Sequence, residues 1–240
     1  MYKRIILKLS GETLAPETMP EGSKNSVTFD ESRILRAADM IARLSDMGVQ
    51  VGVVMGGGNI WRGRFSSEMD PVAADQMGML ATIINALAVR EALARMGRKA
   101  TVFTAQEMTR FAEHYRADRA IERMENGEIV LLAGGSGNPF FTTDTAAALR
   151  AAELRADAVF KGTTVDGVYD SDPRKNPNAK LLSELTYQEA LEKELKVMDS
   201  TAFRLCMEQK LPCIRVFNMD NLENILAVAR GENIGTIVHA

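Results

Sequence analysis

Short apolar runs recur along the chain and indicate buried β-strands. They lie at residues 5–9, 49–55, 100–103, 129–133, 157–160, 213–217 and 236–238. Most of these runs lack the alternation of apolar and polar residues that marks a strand exposed on one face. Because helical patterns separate the runs, we predict an α/β fold in which a mainly parallel sheet is sandwiched between helices.

Two segments between these strands carry clear signals for the start or the end of a helix. Residues 31–48 have an apolar stripe and end at Gly48, a residue suited to a left-handed C-terminal cap. Residues 70–97 begin with Asp70 as the N-cap and Pro71 at the first helical position. The second predicted helix is long and strongly apolar.

Gly78 lies inside this second predicted helix. A glycine there costs about 1 kcal/mol relative to alanine, which favours a position where another backbone approaches closely. Two interpretations remain open from the sequence. The glycine lies either in a subunit interface or in a packing contact within the monomer.

Composition restricts the class of protein. The chain has 240 residues, of which 46% are hydrophobic, and we predict a single domain over residues 1–240. Its 29 basic and 32 acidic residues give a net charge of −3, and no segment has five like charges in a row. This balance argues against a nucleic-acid-binding protein, so any bound anion must be held by local lysines and arginines.

Cysteine usage and the N-terminal segment indicate the compartment. Cys206 and Cys213 form no CxxC pattern and the chain has only two histidines, so neither a zinc site nor a disulfide framework is expected. Lys8 and Glu12 interrupt the apolar N-terminal run, and no window of about 18 apolar residues occurs. We therefore expect a cytoplasmic protein with no membrane segment.

Four loops that follow predicted strands carry residues suited to binding phosphate, and ligands of open parallel sheets bind beyond these strand ends. In the first loop, Lys8 lies within the predicted strand and is followed by Ser10 and Gly11. A buried lysine costs several kcal/mol unless it meets an anion, so it either reaches the sheet edge or points at a ligand. In the fourth loop, residues 161–173, Lys161 repeats this pattern directly after the predicted strand at residues 157–160.

The second loop contains three consecutive glycines, residues 56–58. Such a run forms either a tight turn or a nest of backbone N–H groups around a phosphate. It is not a P-loop, which would need the pattern G-x-x-x-x-G-K-[ST]. It is not a dinucleotide fingerprint either, because Trp61 stands where the last glycine of G-x-G-x-x-G would be. Arg62 favours the phosphate interpretation, because a guanidinium group matches phosphate oxygens.

The third loop, residues 134–141, is rich in glycine and leads into a predicted helix. Thr142 or Thr143 can cap that helix, whose positive end favours an anion. Asp144 in the first turn either complements the helix dipole or takes part in a site. Together with the two lysines and the arginine, these loops fit phosphoryl transfer, which depends on positioning and charge stabilisation.

Six segments, in this order, resemble the bacterial UMP kinases (uridylate kinases) of the amino-acid-kinase superfamily. They are residues 2–12, 48–63, 75–93, 136–147, 165–173 and 191–199. The resemblance implies a three-layer α/β/α fold and a homohexamer. It also implies transfer of the γ-phosphate of ATP, with Mg²⁺, to UMP to give UDP and ADP in pyrimidine nucleotide biosynthesis.

The resemblance further implies roles for single residues. The implied catalytic residues are Lys8, Arg62, Asp144 and Lys161. The implied ATP-binding residues are Lys8, Leu9, Ser10, Gly11, Gly58, Arg62, Thr163, Tyr169 and Asp172. The implied UMP-binding residues are Gly57, Asp75, Ser136, Gly137, Asn138, Pro139, Phe140, Phe141, Thr142 and Thr143. No protein carboxylate is an obvious metal ligand, so Mg²⁺ is expected to arrive bridged by nucleotide phosphates.

The family also implies GTP as an activator and UTP as an inhibitor. This chain departs from the family pattern in the segment associated with GTP, where residues 15–27 form a longer insertion, predicted to be a mobile surface segment. Ala94 and Thr101 stand where some members carry cationic or imidazole side chains. The residues therefore support the two effectors less well than the two substrates.

Two functions other than that of a UMP kinase are the main alternatives. One is a superfamily relative that makes an acyl phosphate, such as acetylglutamate kinase or aspartokinase, and residues 75–82 and 137–144 argue against it. The other is a nucleotide-binding protein without turnover. The residues that argue against it are Lys8, Arg62, Asp144 and Lys161.

Overall fold

The structure, a computed structural model, describes residues 1–16, 28–62, 69–195 and 197–240. Most of the predicted insertion at residues 15–27 lies outside these residues. Helices and strands alternate along most of the described chain, as the spacing of the apolar runs predicts.

The described strands include all of the predicted ones and several short additions. They are β1 (Arg4–Leu9), β2 (Gln50–Met55), β3 (Ala100–Thr104), β4 (Glu113–His114), β5 (Ile129–Ala133), β6 (Ala158–Thr163), β7 (Val168–Tyr169), β8 (Leu181–Leu182), β9 (Glu184–Thr186), β10 (Cys213–Asn218) and β11 (Thr236–His239). Nine of these form one sheet in the order β4-β3-β5-β2-β1-β6-β10-β11-β9, while β7 and β8 pair separately. Only the β10–β11 pairing within the large sheet is antiparallel, so the mainly parallel sheet is confirmed.

Seven α-helices connect the strands of the described chain. They are α1 (Glu31–Asp46), α2 (Pro71–Arg95), α3 (Ala117–Glu125), α4 (Thr143–Glu153), α5 (Tyr187–Glu192), α6 (Ser200–Glu208) and α7 (Leu222–Arg230), with a short 3-10 helix at Gly11–Leu14. The predicted ends of the two long helices are confirmed. Asp70 accepts a hydrogen bond from the backbone N–H of Ala73 at the start of α2, and Gly48 has a φ of +81° after α1.

Two apolar cores cover the two faces of the sheet. Ile5, Leu7 and Leu9 of β1 point into one core, which α1, α2 and α7 complete. Ile6 points into the other core, which α3, α4, α5 and α6 complete. The alternation of side chains along a strand produces this division. The three-layer arrangement implied by the family resemblance is therefore confirmed.

Helix α2 is apolar on more than one side. An 18-residue window of this 25-residue helix has a mean hydropathy of 1.5, so the helix is long and apolar enough to cross a membrane, contrary to the expectation that no such window occurs. A core helix of a globular domain meets the same criteria, and α2 packs against the sheet and α1. Its fully buried Asn85 donates a hydrogen bond to Gly56 O at 2.7 Å.

Candidate active site

Lys8 and Lys161 lie side by side at the carboxyl ends of adjacent parallel strands. The register of β1 and β6 pairs Lys8 directly with Lys161. Both side chains point to the sheet face covered by α4, and they are only 17% and 11% exposed. Two nearly buried ammonium groups at neighbouring positions repel each other, so the arrangement requires negative charge close by.

Asp144 supplies this negative charge from the first turn of α4. Its Oδ2 accepts a hydrogen bond from Lys161 Nζ at 2.6 Å, and its Oδ1 lies 3.3 Å from Lys8 Nζ. The contact with Lys8 is an ion pair only, because Oδ1 has no hydrogen-bond partner among the described residues. Asp144 therefore joins both lysines and does more than complement the helix dipole.

Lys161 is held more tightly than Lys8. Its ammonium group donates to Asp144 Oδ2 and also to the backbone carbonyl of Val197. Burial lowers the pKa of Lys161; the charge of Asp144 opposes this change and the charge of Lys8 adds to it. The charged form of this lysine is thus less stable than that of an exposed lysine, and a bound anion would stabilise it.

Asp199 is a site residue that the sequence analysis missed. It caps α6 by accepting from the backbone N–H of Ala202 at 2.8 Å. It also accepts from the hydroxyl groups of Thr142 and Thr145 at the start of α4. Thr142 in turn is the N-cap of α4 and accepts from Asp144 N at 3.0 Å. Asp199 therefore fixes the helix end that carries Asp144. An acidic residue followed by Ser200 and Thr201 is a recognisable N-cap signal, but it gives no indication of this second contact.

The glycine triplet follows β2 and is crowded on two sides. A Cβ at Gly57 would lie 2.9 Å from Gly78 O and from Ala81 Cβ of α2. A Cβ at Gly11 would overlap Asn59 Oδ1 and would lie 2.9 Å from Gly58 N. The close approach of these segments therefore explains the glycines at 11 and 57, and neither has a positive φ among the described residues.

The close backbone approach predicted at Gly78 belongs instead to Gly57. Among the residues that the structure describes, a Cβ at Gly78 would meet only Trp61 Cδ1, at 4.0 Å. Trp61 itself donates from Nε1 to Ala74 O at 2.9 Å and so lies along α2. The described residues therefore do not support the interpretation of Gly78 as a packing contact within the monomer, and the subunit-interface interpretation stays a prediction.

A cleft of about 530 Å³ opens beside the lysines. Its lining includes Lys8, Ser10 and Thr163 from the predicted ATP-binding set. Leu9 is fully buried in the core, and its carbonyl accepts from Gly56 N at 2.8 Å. Tyr169 and Asp172 do not line the cleft and lie in β7 and the loop after it.

Arg62 lies at the edge of this cleft with its side chain half exposed. Its Nε donates to Gly58 O at 3.0 Å, and its guanidinium group pairs with Glu12, which lines the cleft. A Cβ at Gly58 would make ordinary van der Waals contacts, the nearest with Glu12 Oε1 at 3.4 Å. The structure thus places Arg62 and Gly58 on the same side of the turn.

Helix α2 holds the second glycine-rich loop, residues 134–141, by two hydrogen bonds. Thr82 Oγ1 accepts from Gly134 N at 2.8 Å, and Asp75 Oδ2 accepts from Phe140 N at 2.7 Å. Phe140 has a φ of +72°, which is uncommon for a residue with a side chain. Phe140 and Phe141 are 71% and 50% exposed. The predicted UMP-binding residues Asp75, Ser136, Gly137, Asn138, Pro139, Phe140, Phe141, Thr142 and Thr143 are thereby gathered along one loop and the start of α2.

The described residues offer few ligands for a metal ion. No group of three or more His, Cys, Asp or Glu side chains in that part of the chain could hold one. A divalent cation at this site would therefore depend on phosphate oxygens for most of its ligands. The open cleft beside Lys8 leaves room for such a complex.

Comparison with known proteins agrees with this geometry. Residues 3–218 match the model of the Amino acid kinase family. The chain belongs to the amino acid kinase family. The predicted fold class is confirmed. The resemblance to UMP kinases is also confirmed, because uridylate kinases and solved UMP kinase structures are similar to this chain over nearly its whole length.

Three of these relatives illustrate the similarity. The uridylate kinase of Bacteroides thetaiotaomicron is 50% identical over 240 residues, which cover 99% of this chain and 98% of that protein. The solved structure of UMP kinase from Bacillus anthracis has a TM-score of 0.92 and 37% identity, and the match covers 99% of this chain and 96% of that one. UMP kinase from Ureaplasma parvum has a TM-score of 0.90 and 37% identity over 100% of both chains.

The crowding at the glycine triplet predicts that Gly57 and Gly58 differ in tolerance. We expect Gly57→Ala to lower the melting temperature, because its Cβ would lie 2.9 Å from the backbone oxygen of Gly78. Gly58→Ala, whose Cβ would make only ordinary van der Waals contacts, is the matched control. It should leave the melting temperature within a degree or two of the parent, as expected for a change of roughly 0.5 kcal/mol or less. Thermal unfolding of both variants measures this, and equal losses would contradict it.

Proposed function

We propose that this protein is a UMP kinase that transfers the γ-phosphate of ATP to UMP, giving UDP and ADP. The observation that carries the proposal is the placement of Lys8 and Lys161 on adjacent strand ends, joined by Asp144. Lys8 lines the cleft, and the loop held by Asp75 leads into α4, the helix that carries Asp144. The names of the relatives supply the substrates.

The cleft suits the donor nucleotide. Lys8, Ser10 and Thr163 line it, and Arg33 and Arg36 of α1 add positive charge to the lining. We assign to ATP the residues Lys8, Leu9, Ser10, Gly11, Gly58, Arg62, Thr163, Tyr169 and Asp172, with Leu9 contributing through its backbone. Glu12 pairs with Arg62 in the free protein, so an incoming phosphate would compete with this carboxylate for the guanidinium group.

The loop from Ser136 to Thr143 suits the acceptor nucleotide. Asp75 uses one carboxylate oxygen to hold Phe140 N. A carboxylate has further acceptor capacity, so Asp75 can also accept from a ribose hydroxyl group. Gly57 lies between this region and the donor side, on the turn that contacts α2.

Catalysis in this arrangement is charge stabilisation. Lys8 and Lys161 would neutralise the transferring phosphoryl group, while Asp144 keeps both ammonium groups in place. At about 4 Å and an effective dielectric near 20, one lysine offers roughly 4 kcal/mol of gross attraction. An attraction of that size, if it acted only in the transition state, would give about a thousandfold in rate. Mg²⁺ bound to the nucleotide phosphates would add charge neutralisation.

We also propose a cytoplasmic, single-domain protomer that assembles as a homohexamer in the pyrimidine nucleotide pathway. An exposed apolar stripe on α2 supports assembly, because Met77, Leu80 and Ile84 are 39%, 51% and 48% exposed. Patches of this kind commonly mark interfaces.

GTP activation and UTP inhibition are proposed with support from a second depression of about 460 Å³. Arg90, Arg98 and Lys99 line it together with Ala94 and Glu128. Thr101, the other position where this chain departs from the family pattern, donates to Glu128 at 2.8 Å. The positive charges suit a triphosphate.

A coupled assay with MgATP and UMP, CMP, acetylglutamate or aspartate tests the proposed function. We expect turnover with UMP to exceed turnover with the other acceptors by orders of magnitude. A preference for an amino-acid acceptor would identify an acyl-phosphate kinase, and no turnover with any acceptor would favour a binding protein. Either result would refute the proposal.

The lowered pKa of Lys161 predicts an alkaline loss of activity. Because the free enzyme needs a charged ammonium group to receive ATP phosphates, kcat/KM for ATP should fall with rising pH at a pKa below 10.5. A profile from pH 7 to 10.5 measures this limb. Lys161→Arg keeps its charge to higher pH, so its residual activity should lack the limb. An unchanged limb in that variant would assign it to another group.

The position of Asp75 predicts a defect specific to UMP. Asp75→Ala removes the acceptor for the ribose and for Phe140 N, so KM for UMP should rise roughly ten- to hundredfold, as expected for a lost charged hydrogen bond. KM for ATP should change little in steady-state kinetics. Asp70→Ala, which removes a cap of the same helix at a cost of about 1 kcal/mol, is the control. An effect on KM for ATP alone would show that the site is misassigned.

A further inference from the structure

We propose that the side-chain amides of Asn59 and Asn85 form a positioning pair that fixes the donor and acceptor loops relative to each other during phosphoryl transfer. This inference rests on the proposed function, because it assigns the two loops to ATP and UMP. Neither asparagine contacts the cleft beside the lysines. Both would act through the backbone segments that they hold.

The two amides bind each other reciprocally. Asn85 Nδ2 donates to Asn59 Oδ1 at 2.8 Å, and Asn59 Nδ2 donates to Asn85 Oδ1 at 3.1 Å. Each amide also holds a backbone carbonyl, that of Gly56 at 2.7 Å and that of Thr28 at 3.1 Å. Asn85 is fully buried, yet its amide hydrogens and oxygen have partners. A buried polar group with complete hydrogen bonding specifies one geometry strongly.

The pair lies where the two sides of the site meet. On the donor side, Asn59 packs against Gly11 so closely that a Cβ at Gly11 would overlap its Oδ1. On the acceptor side, Asn85 belongs to α2, the helix from which Asp75 and Thr82 hold the second glycine-rich loop. A shift between Asn59 and Asn85 would therefore be a shift between the donor segment and the acceptor loop.

Packing alone does not account for asparagine at position 85. Its neighbours at positions 83, 86 and 89 of α2 are buried apolar residues in the same core, and an apolar side chain would fill a buried helix position without a desolvation penalty. The carbonyl of Gly56 would then lose the partner that holds the start of the glycine triplet. Phosphoryl transfer is sensitive to such a shift, because a misplacement of about 1 Å can reduce the rate about a hundredfold.

Asn85→Asp tests the proposal with almost no change of shape. An aspartate offers at most one O–H, and none when ionised, so it cannot donate to both Gly56 O and Asn59 Oδ1, and the turn should move away from α2. We expect kcat to fall by roughly a hundredfold, while KM for UMP and for ATP each change by less than about threefold, since each loop still binds its own nucleotide. Asn59→Asp, at a partly exposed position, provides a second variant if the first does not fold. Asn126→Asp makes the same change at an exposed position after α3 and should leave kcat unchanged.

The combination of Asn59→Ala and Asn85→Ala separates positioning from general stability. If the amides act as one unit, the double variant should lose about as much kcat as either single variant. Lower melting temperatures with an unchanged kcat well below the melting point would overturn the proposal, as would additive losses in kcat. Absence of UMP turnover in the parent enzyme would refute the proposed function and this inference with it, whereas a normal parent and normal variants would refute the inference alone.

Discussion

The rest of the site depends on one carboxylate placed between two ammonium groups. Without Asp144, the strand register would leave Lys8 and Lys161 as adjacent, nearly buried like charges. The protein keeps this carboxylate in place by a chain of contacts in which Asp199 holds Thr142, and Thr142 caps the helix that carries Asp144. The repulsion between the two lysines is thus offset by a carboxylate at a helix end, and that helix end is held in turn by Asp199 at the start of α6.

Helix α2 connects almost everything else in the site. Its inner side carries Asp75, Thr82 and Asn85, which hold the second glycine-rich loop and the glycine triplet. Its outer side carries the exposed apolar residues that support assembly. The same feature explains why the helix has the length and hydropathy of a membrane span: it needs apolar residues toward the core and, in our proposal, toward neighbouring subunits.

The sequence predicted the architecture well, because buried parallel strands appear as uninterrupted apolar runs. It predicted Lys8 and Lys161 because a lysine within or directly after such a run is chemically unusual. Strands of two or three residues, such as β7 and β8, are too short to show a pattern. The antiparallel direction of β11 and the contacts of Asp144, Asp199 and Asn85 could not be predicted from residue patterns, because each depends on which distant segments become neighbours in the fold.

The register between β1 and β6 has a consequence for how this site can vary. Neighbouring strands lie about 4.8 Å apart wherever backbone hydrogen bonds join them. The separation of the two lysine backbones is therefore a property of the sheet, independent of the side chains that pack around it. Helices and loops can therefore drift in sequence without changing the separation of these two backbones. In the function we propose, a chain with this sheet could alter its acceptor through the loop before α4 while the two lysine positions stay the same.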